Sequence, residues 1–248
     1  MTISAAILAL APTVYWQLQE QPGAVVAADS SGNAHPGVFT SSYVLGIPGP
    51  EANTFAVGGG APQAGVGISG LNPLVGSGPF TGMCWFAATG LTTSGNALIY
   101  NGNGGGTGLG LIMQGTQLSF LFGGLGIIPT GYFPSAGFWH QYAWRVTPGV
   151  NQAVFVDGAQ VYAAVAGIPN PVLAGQGLVG QVPDIGGIAH VAYWNSALTL
   201  AQINSVWVAG PGVVPSSSLT GRTANDVDVA AILDLLERIY AAVHHTFA

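Results

Sequence analysis

Short apolar segments, separated by clusters of glycine, proline and small polar residues, run through most of this sequence. Within them apolar and polar positions alternate with a period of two, or the apolar run is almost continuous, as in Gly82–Ala88. Alternation predicts strands with one buried face, and short continuous runs predict strands buried on both faces. We predict strands at residues 14–18, 54–57, 65–68, 82–88, 97–100, 109–113, 117–122, 139–146, 152–156, 160–164 and 188–194.

The regular spacing of these segments, with turn-forming residues between them, is typical of a β-sandwich or barrel. Helical periodicity is confined to the two ends of this region. Ile3–Leu10 has room for one or two helical turns before Pro12. Leu198–Ala209 has one apolar face, and Thr199 near its start is the candidate N-cap, which predicts a short helix. We therefore expect a single β domain at residues 1–210.

The last part of the sequence has a different pattern. Residues 211–225 are rich in proline, serine and glycine and are predicted to be a linker, and residues 226–248 are predicted to form an amphipathic helix. The apolar residues of this helix form a seam of coiled-coil a and d positions. Leucine at an a position with isoleucine at d favours coiled coils of three or four helices, so this seam predicts self-association as a homotrimer. Docking on another protein and packing against its own domain are the two alternatives. The seam residues, spaced 3, 4, 3 and 4 apart, are Val229, Ile232, Leu236, Ile239 and Val243.

Charged side chains are rare: they make up 5% of the 248 residues, and Lys and Arg together number three. Three cations cannot neutralise a nucleic-acid backbone, so nucleic acid is excluded as a partner. The sequence holds no run of about 20 apolar residues, so no membrane insertion is expected. A neutral polar surface provides little colloidal repulsion, so we expect the chain to function inside an assembly.

Three motifs occur in the order and spacing of a known family. The strand Val14–Leu18 is followed by the acidic turn Asp29–Asn33, and Trp139–Ala143 is followed by the Val-Asp-Gly hairpin within Val154–Gly158. Ile188–Trp194 then precedes the short helix. From residue 12 to residue 210 the sequence resembles laminin-G-like, concanavalin A-like lectin domains. The resemblance implies an all-β fold, an antiparallel jelly-roll β-sandwich with a short C-terminal α-helix.

The segment of residues 5–18 also resembles the start of laminin-G-like minor tail and other virion proteins of actinobacterial phages. This resemblance implies a structural virion protein, a tail or capsid appendage, assembled in the host cytoplasm and exposed on the particle exterior. Its expected partners are copies of itself, other virion proteins and a glycan of the host envelope. The alternative is a carbohydrate-binding module of a secreted or surface-exposed bacterial protein.

Paired carboxylates suited to cleaving a glycosidic bond are not apparent in the sequence. A glycosidase needs two carboxyl groups that flank one bond, and the Gly-x-Ser-x-Gly motif of serine hydrolases is missing as well. We therefore expect a binding protein and not an enzyme. The acidic residues of the predicted β domain, no two of them within eight residues of each other, are Glu20, Asp29, Glu51, Asp157 and Asp184.

Calcium is the one cofactor for which the sequence offers candidate ligands. Lectin-type sandwiches often carry Ca²⁺ at a rim loop, where carboxylate and amide oxygens bind it. Asp29, Asn33 and Asp184 are the candidate ligands here. The alternative for Asp29 is that its carboxylate accepts hydrogen bonds from backbone amides of its own turn.

Aromatic and amide side chains in predicted loops are the candidates for contact with a ligand. Tyr43, Tyr132 and Phe133 are surrounded by turn-forming residues, where a sugar ring can stack on them. The glycine-rich hairpin loop at residues 101–107 adds Asn101 and Asn103. Five tryptophans lie instead in predicted strands and are expected in the core: Trp16, Trp85, Trp139, Trp144 and Trp194.

Overall fold

Two antiparallel β-sheets stack face to face, and two helices cover the outer face of the first sheet. The computed structural model describes residues 1–39, 43–59, 66–67, 78–88, 96–101, 108–122, 126–165, 177–179, 185–210 and 214–215. The helices are α1 (Ile3–Leu8) and α2 (Leu200–Ala209). The strands are β1 (Val14–Trp16), β2 (Val26–Ala27), β3 (Gly37–Phe39), β4 (Tyr43–Pro48), β5 (Phe55–Gly59), β6 (Val66–Gly67), β7 (Phe80–Ala88), β8 (Asn96–Asn101), β9 (Leu109–Gln114), β10 (Gln117–Phe122), β11 (Gly126–Pro129), β12 (Phe138–Thr147), β13 (Asn151–Val156), β14 (Ala159–Val165), β15 (Gly177–Val179), β16 (Ile185–Trp194) and β17 (Val214–Pro215).

The strand order gives each sheet a run of hairpins joined by crossovers. The first sheet has the order β14-β13-β12-β7-β16-β5-β4, with β1 beside β16 and β17 beside β12. The second has the order β11-β10-β9-β8-β15-β6-β3-β2. The chain passes between the sheets several times, as in a jelly-roll sandwich. The predicted all-β sandwich is confirmed.

Strand β7 shows why the most continuous apolar segment of the sequence lies at the centre of the first sheet. Cys84 and Phe86 face the second sheet, whereas Met83 and Trp85 face the two helices. Successive side chains of a strand point to opposite faces. Because both faces of this sheet are covered, both sets of positions are apolar, and the alternation disappears from the sequence.

The two helices close a second apolar layer on the outer face of the first sheet. Thr2 caps α1, and Thr199 caps α2 in a reciprocal capping box with Gln202, which confirms Thr199 as the predicted N-cap. In α2, Trp207 stacks on Trp85 of β7 at a centroid distance of 5.4 Å. In the described part of the chain, neither helix is long and apolar enough to cross a membrane.

All the predicted strands and both short helices are confirmed, but six strands within the described residues are not predicted by the sequence. Strands β2, β3, β11, β15 and β17 have two to four residues each, too few for a period to be recognised. Strand β4 is longer, but Gly46, with a φ of 79°, and a bulge between Leu45 and Ile47 interrupt its alternation. Strand β17 lies in the predicted linker 211–225 and pairs with Phe138 and Trp139 of β12.

Candidate functional site

The Asp29 carboxylate of the acidic turn is fully engaged in hydrogen bonds. Its Oδ1 accepts from the amides of Tyr15 and Ser31, both at 2.9 Å. Its Oδ2 accepts from the Ser31 hydroxyl at 2.7 Å and the His35 amide at 2.9 Å. Burial opposes ionisation of this carboxyl, but the hydrogen bonds together outweigh it and lower its pKa below the ordinary value. The carboxylate therefore joins β1 to the turn that follows β2.

This arrangement does not fit a calcium site at Asp29. A carboxylate offers about four lone pairs, and four donors already occupy those of Asp29. Asn33 donates its side-chain amide to the carbonyls of Pro12 and Thr13 at 3.2 and 3.0 Å. Asp184, the third candidate, lies outside the described residues. Among the described residues no group of three or more His, Cys, Asp or Glu could hold a metal ion.

The predicted ligand-contacting residues divide into two groups in the structure. Tyr43 and Asn101 do not lie in loops. Tyr43 begins β4, packs against the tilted ring of Phe39 at a centroid distance of 4.9 Å and donates its hydroxyl to the Ala24 carbonyl. Asn101 ends β8 and is fully buried. The loop prediction for these two residues is wrong, because strand pairing extends into segments that are rich in turn-forming residues. Asn103 lies outside the described residues.

Tyr132 and Phe133 do lie in a loop, at residues 130–137, which connects β11 of the second sheet to β12 of the first. The loop is anchored at its start: the Thr130 hydroxyl donates to the Leu118 carbonyl at 2.6 Å, and the Leu118 amide donates to the Tyr132 carbonyl at 2.9 Å. Tyr132 packs partly against the core. Phe133 is 62% exposed, a large apolar side chain presented to solvent. The anchored loop thus carries one exposed aromatic ring at the rim of the sandwich.

Three polar side chains form a hydrogen-bonded series beside this loop. The exposed Ser135 hydroxyl lies 3.0 Å from Nε2 of His140, and Nδ1 of His140 lies 2.7 Å from Oδ2 of Asp157. Asp157 Oδ1 accepts from the Gln141 amide at 3.0 Å. Asp157 and Gly158 have φ values of 52° and 73°, so both adopt the left-handed conformation of the tight turn between β13 and β14.

The His140 ring connects the loop to the hairpin turn. Its Nδ1 contacts Asp157 and its Nε2 contacts the Ser135 hydroxyl, so each ring nitrogen has one hydrogen-bond partner. Burial and the charge of Asp157 both raise the pKa of Tyr132, which places that phenol within electrostatic reach of the carboxylate. We define the rim site as Tyr132, Phe133, Ser135, His140 and Asp157.

Sequence reasoning finds two members of the rim site, Tyr132 and Phe133, and misses the other three. Ser135, His140 and Asp157 are separated by 5 and 17 positions and share no single motif. His140 and Asp157 could have been linked from the sequence, because they lie in two motifs of the laminin-G-like resemblance, Trp139–Ala143 and Val154–Gly158. Their strands pair antiparallel, with Tyr142 opposite Val156, so His140 and Asp157 meet at the end of the hairpin.

A second polar cluster is buried beneath helix α1. The Tyr15 hydroxyl lies 2.7 Å from Nδ1 of His190 and 3.0 Å from the Ser4 hydroxyl. Glu51 accepts from the Ile3 amide at the start of α1 and lies 3.6 Å from Nε2 of His190. His190 is fully buried, and burial lowers its pKa to about 3. Tyr15 and His190 at its centre are inaccessible, and the cluster fastens α1 to β1 and β16.

The two stacked antiparallel sheets define the class of the fold as a lectin-like β-sandwich. At one rim of this sandwich a loop carries an aromatic ring next to polar side chains. The family model Laminin_G_3, described as the concanavalin A-like lectin/glucanases superfamily, matches residues 58–204, and the chain belongs to this family. No match to a curated protein sequence was found.

Solved structures with this fold include both binding domains and enzymes. Domain 4 of AbnA, a GH43 extracellular arabinanase from Geobacillus stearothermophilus, in complex with arabinotriose, is similar at a TM-score of 0.62 and 18% identity, over 79% of this chain and 97% of that chain. The binding domain of Paraclostridial Mosquitocidal Protein 1 gives 0.63 and 11%, over 81% and 52% of the two chains. Trypanosoma rangeli sialidase gives 0.58 and 15%, over 81% of this chain and a third, 33%, of that chain. At these identities the likeness concerns the fold alone.

Proposed function

We propose that this chain is a non-enzymatic structural protein of a phage virion, a tail or capsid appendage whose lectin-like domain contacts a host envelope glycan or a neighbouring virion protein. The observation that carries the proposal is the lectin-like sandwich with an exposed aromatic ring, Phe133, on an anchored rim loop. Charged residues make up only 5% of the chain, and a surface with so little charge suits a component that neighbouring proteins partly cover.

The resemblance of residues 5–18 to phage virion proteins supports the virion assignment. In the structure this segment supplies most of α1 and all of β1, so it is an integral part of the sandwich. A glycan as the external ligand is supported by the similar domain 4 of AbnA, whose structure contains arabinotriose.

A binding role without catalysis is supported by the positions of the described carboxylates. Each is held by a backbone donor: Glu20 by the Ala28 amide, Asp29 by three amides, Glu51 by the Ile3 amide and Asp157 by the Gln141 amide. The four carboxylates take these hydrogen bonds from different donors in different parts of the fold. A glycosidase instead requires two carboxyl groups that flank one glycosidic bond.

Mass spectrometry of purified phage particles tests the virion assignment. We expect peptides of this chain in density-purified particles from a lysed culture of the source strain, at a copy number that is a multiple of three. Antibody against the chain should label the particle exterior in electron micrographs. If the chain is instead found in the medium or on uninfected cells, the alternative function, a bacterial carbohydrate-binding module, replaces the virion assignment.

The predicted tail, residues 226–248, lies outside the described residues, and its self-association stays a prediction. We expect the full chain to be a trimer by light scattering and a chain that ends after Pro215 to be a folded monomer. The end point keeps β17, which pairs with β12. Replacing Ile232 and Ile239 together with Asp places charge on the apolar seam and should also produce smaller species. An unchanged mass in this double variant would show that the seam does not hold the copies together.

A further inference from the structure

We propose that the rim site is the ligand-binding site of this domain and that its ligand is a neutral, hydroxyl-rich saccharide. The proposal rests on the proposed glycan-binding function and adds the location and the chemistry of the site. It is carried by three features of the described residues: an exposed aromatic ring, a pair of pre-oriented acceptors and the absence of a cation from the described contacts of the site.

The exposed ring supplies the apolar part of the site. Phe133 follows Tyr132, whose carbonyl and amide are both hydrogen-bonded, to Leu118 and to the Thr130 hydroxyl. Because the loop is held before a ligand arrives, little conformational entropy is lost on binding. One face of a sugar ring consists mainly of C–H groups, and covering it with an aromatic ring removes apolar surface of both partners from water.

The acceptors supply the polar part. Asp157 uses one lone pair of Oδ1 for the Gln141 amide and one of Oδ2 for His140, so about two of its four remain. Its side chain is 21% exposed. The Ser135 oxygen has two lone pairs, and its contact with Nε2 of His140 uses at most one of them, so at least one remains free to accept. Asp29, with every lone pair occupied, has no such capacity.

This pattern of acceptors selects the ligand. Sugar hydroxyl groups are donors that match Asp157 and Ser135, whereas a carboxylated or phosphorylated sugar would bring a second negative charge to Asp157. The described cation, Arg145, donates to the Leu198 carbonyl and lies over the Phe155 ring, so its contacts are made elsewhere. The net charge of −6 also disfavours an anionic ligand.

Saturation-transfer NMR and calorimetry on the full chain test the site. The probes are neutral trisaccharides of arabinose, galactose, mannose and glucose, with sialyllactose as the anionic comparison. We expect at least one neutral trisaccharide to bind with a Kd of about 1 mM or tighter and sialyllactose to bind at least about tenfold more weakly. Phe133→Ala and Asp157→Asn should each weaken the neutral ligand by about tenfold or more. Asn tolerates the left-handed φ of position 157, so the turn is retained.

The matched control is Phe55→Ala, because Phe55 is also exposed but lies on β5, three strands from β12 in the first sheet. It should leave the Kd unchanged. Binding that survives Phe133→Ala and Asp157→Asn overturns the site while the glycan-binding function stands. If none of the probes binds although the chain is found in particles, the saccharide proposal fails and the virion assignment stands.

One further outcome concerns the series Ser135, His140 and Asp157, since the same order of groups activates serine nucleophiles in hydrolases. A fluorophosphonate probe, which labels activated serine nucleophiles, distinguishes a site that only binds a saccharide from one that also catalyses hydrolysis. We expect the full chain to remain unlabelled and the trisaccharide to be recovered intact. Stoichiometric labelling that Ser135→Ala abolishes would overturn a site that only binds.

Discussion

Replacing Trp144 with alanine is expected to lower the free energy of unfolding by about 3–5 kcal/mol, the largest effect of any single substitution considered for this chain. The indole is completely buried between the two sheets and meets the edge of Phe120 at a centroid distance of 6.2 Å. Gly82 of the neighbouring strand leaves the space for it: a Cβ atom there would lie 2.6 Å from the indole. The substitution leaves a cavity where the indole was. Because β12 is paired with β7 on one side and β13 on the other, the strands cannot move together to close this cavity fully.

Urea denaturation followed by far-ultraviolet circular dichroism measures this effect. Val150→Ala is the control, since Val150 is 55% exposed in the turn before β13, and its unfolding free energy should stay within about 0.5 kcal/mol of the unmodified chain. A loss below about 1 kcal/mol for Trp144→Ala would contradict the assignment of Trp144 to the inter-sheet core.

Acidification is expected to destabilise the fold through His190, with a slope that approaches about 1.4 kcal/mol per pH unit below pH 6. Burial lowers the pKa of His190 to about 3 in the folded chain, against about 6.5 for a histidine in an unfolded chain. Between these two values the unfolded chain binds a proton that the folded chain does not. The unfolding free energy therefore carries no penalty from His190 above about pH 6.5, and this penalty grows progressively as the pH falls toward 3.

The side chains that contact His190 are Tyr15 and Glu51, and Ser4 contacts the Tyr15 hydroxyl. Glu51 would favour a charged imidazole, but at 3.6 Å it does not offset the cost of burying the charge. The test is the unfolding free energy from pH 7 to pH 4.5 for the unmodified chain and for His190→Asn. Asn accepts the φ of 51° at this position and can still pair with Tyr15, but it does not titrate. If both proteins show the same slope, His190 is not its source.

The sequence predicts the elements whose pattern is local, and misses those that depend on distant partners. Strand β7, the hairpin of β9 and β10, and the Thr199 cap are all found from short-range periodicity or residue type. Strands of two or three residues, such as β2 and β15, exist only because a neighbouring strand pairs with them. The left-handed conformation of His190 lies at a bulge between β16 and β7, which no periodicity reveals.

The same distinction applies to the candidate site. Phe133 is found because turn-forming residues around an aromatic predict exposure, and it is exposed. The same reasoning fails for Asn101, which is buried in a strand. Ser135, His140 and Asp157 come together only when the loop after β11 meets the hairpin of β12 and β13, so their contact is a property of the topology.

The pairing of Val214 and Pro215 with Trp139 and Phe138 has a mechanical consequence. Pro215, the last described residue, lies beside the first residues of β12, and Ser135 lies shortly before that strand. If a saccharide is held at Phe133 while the tail is fixed to a particle, a pulling force acts between Phe133 and Pro215. Both residues lie near the start of β12, at the same end of the sandwich. The force then bypasses the large core and acts on the β11–β12 loop and on two residues of β17. These short segments, rather than the global stability of the domain, would set the pulling force at which attachment fails.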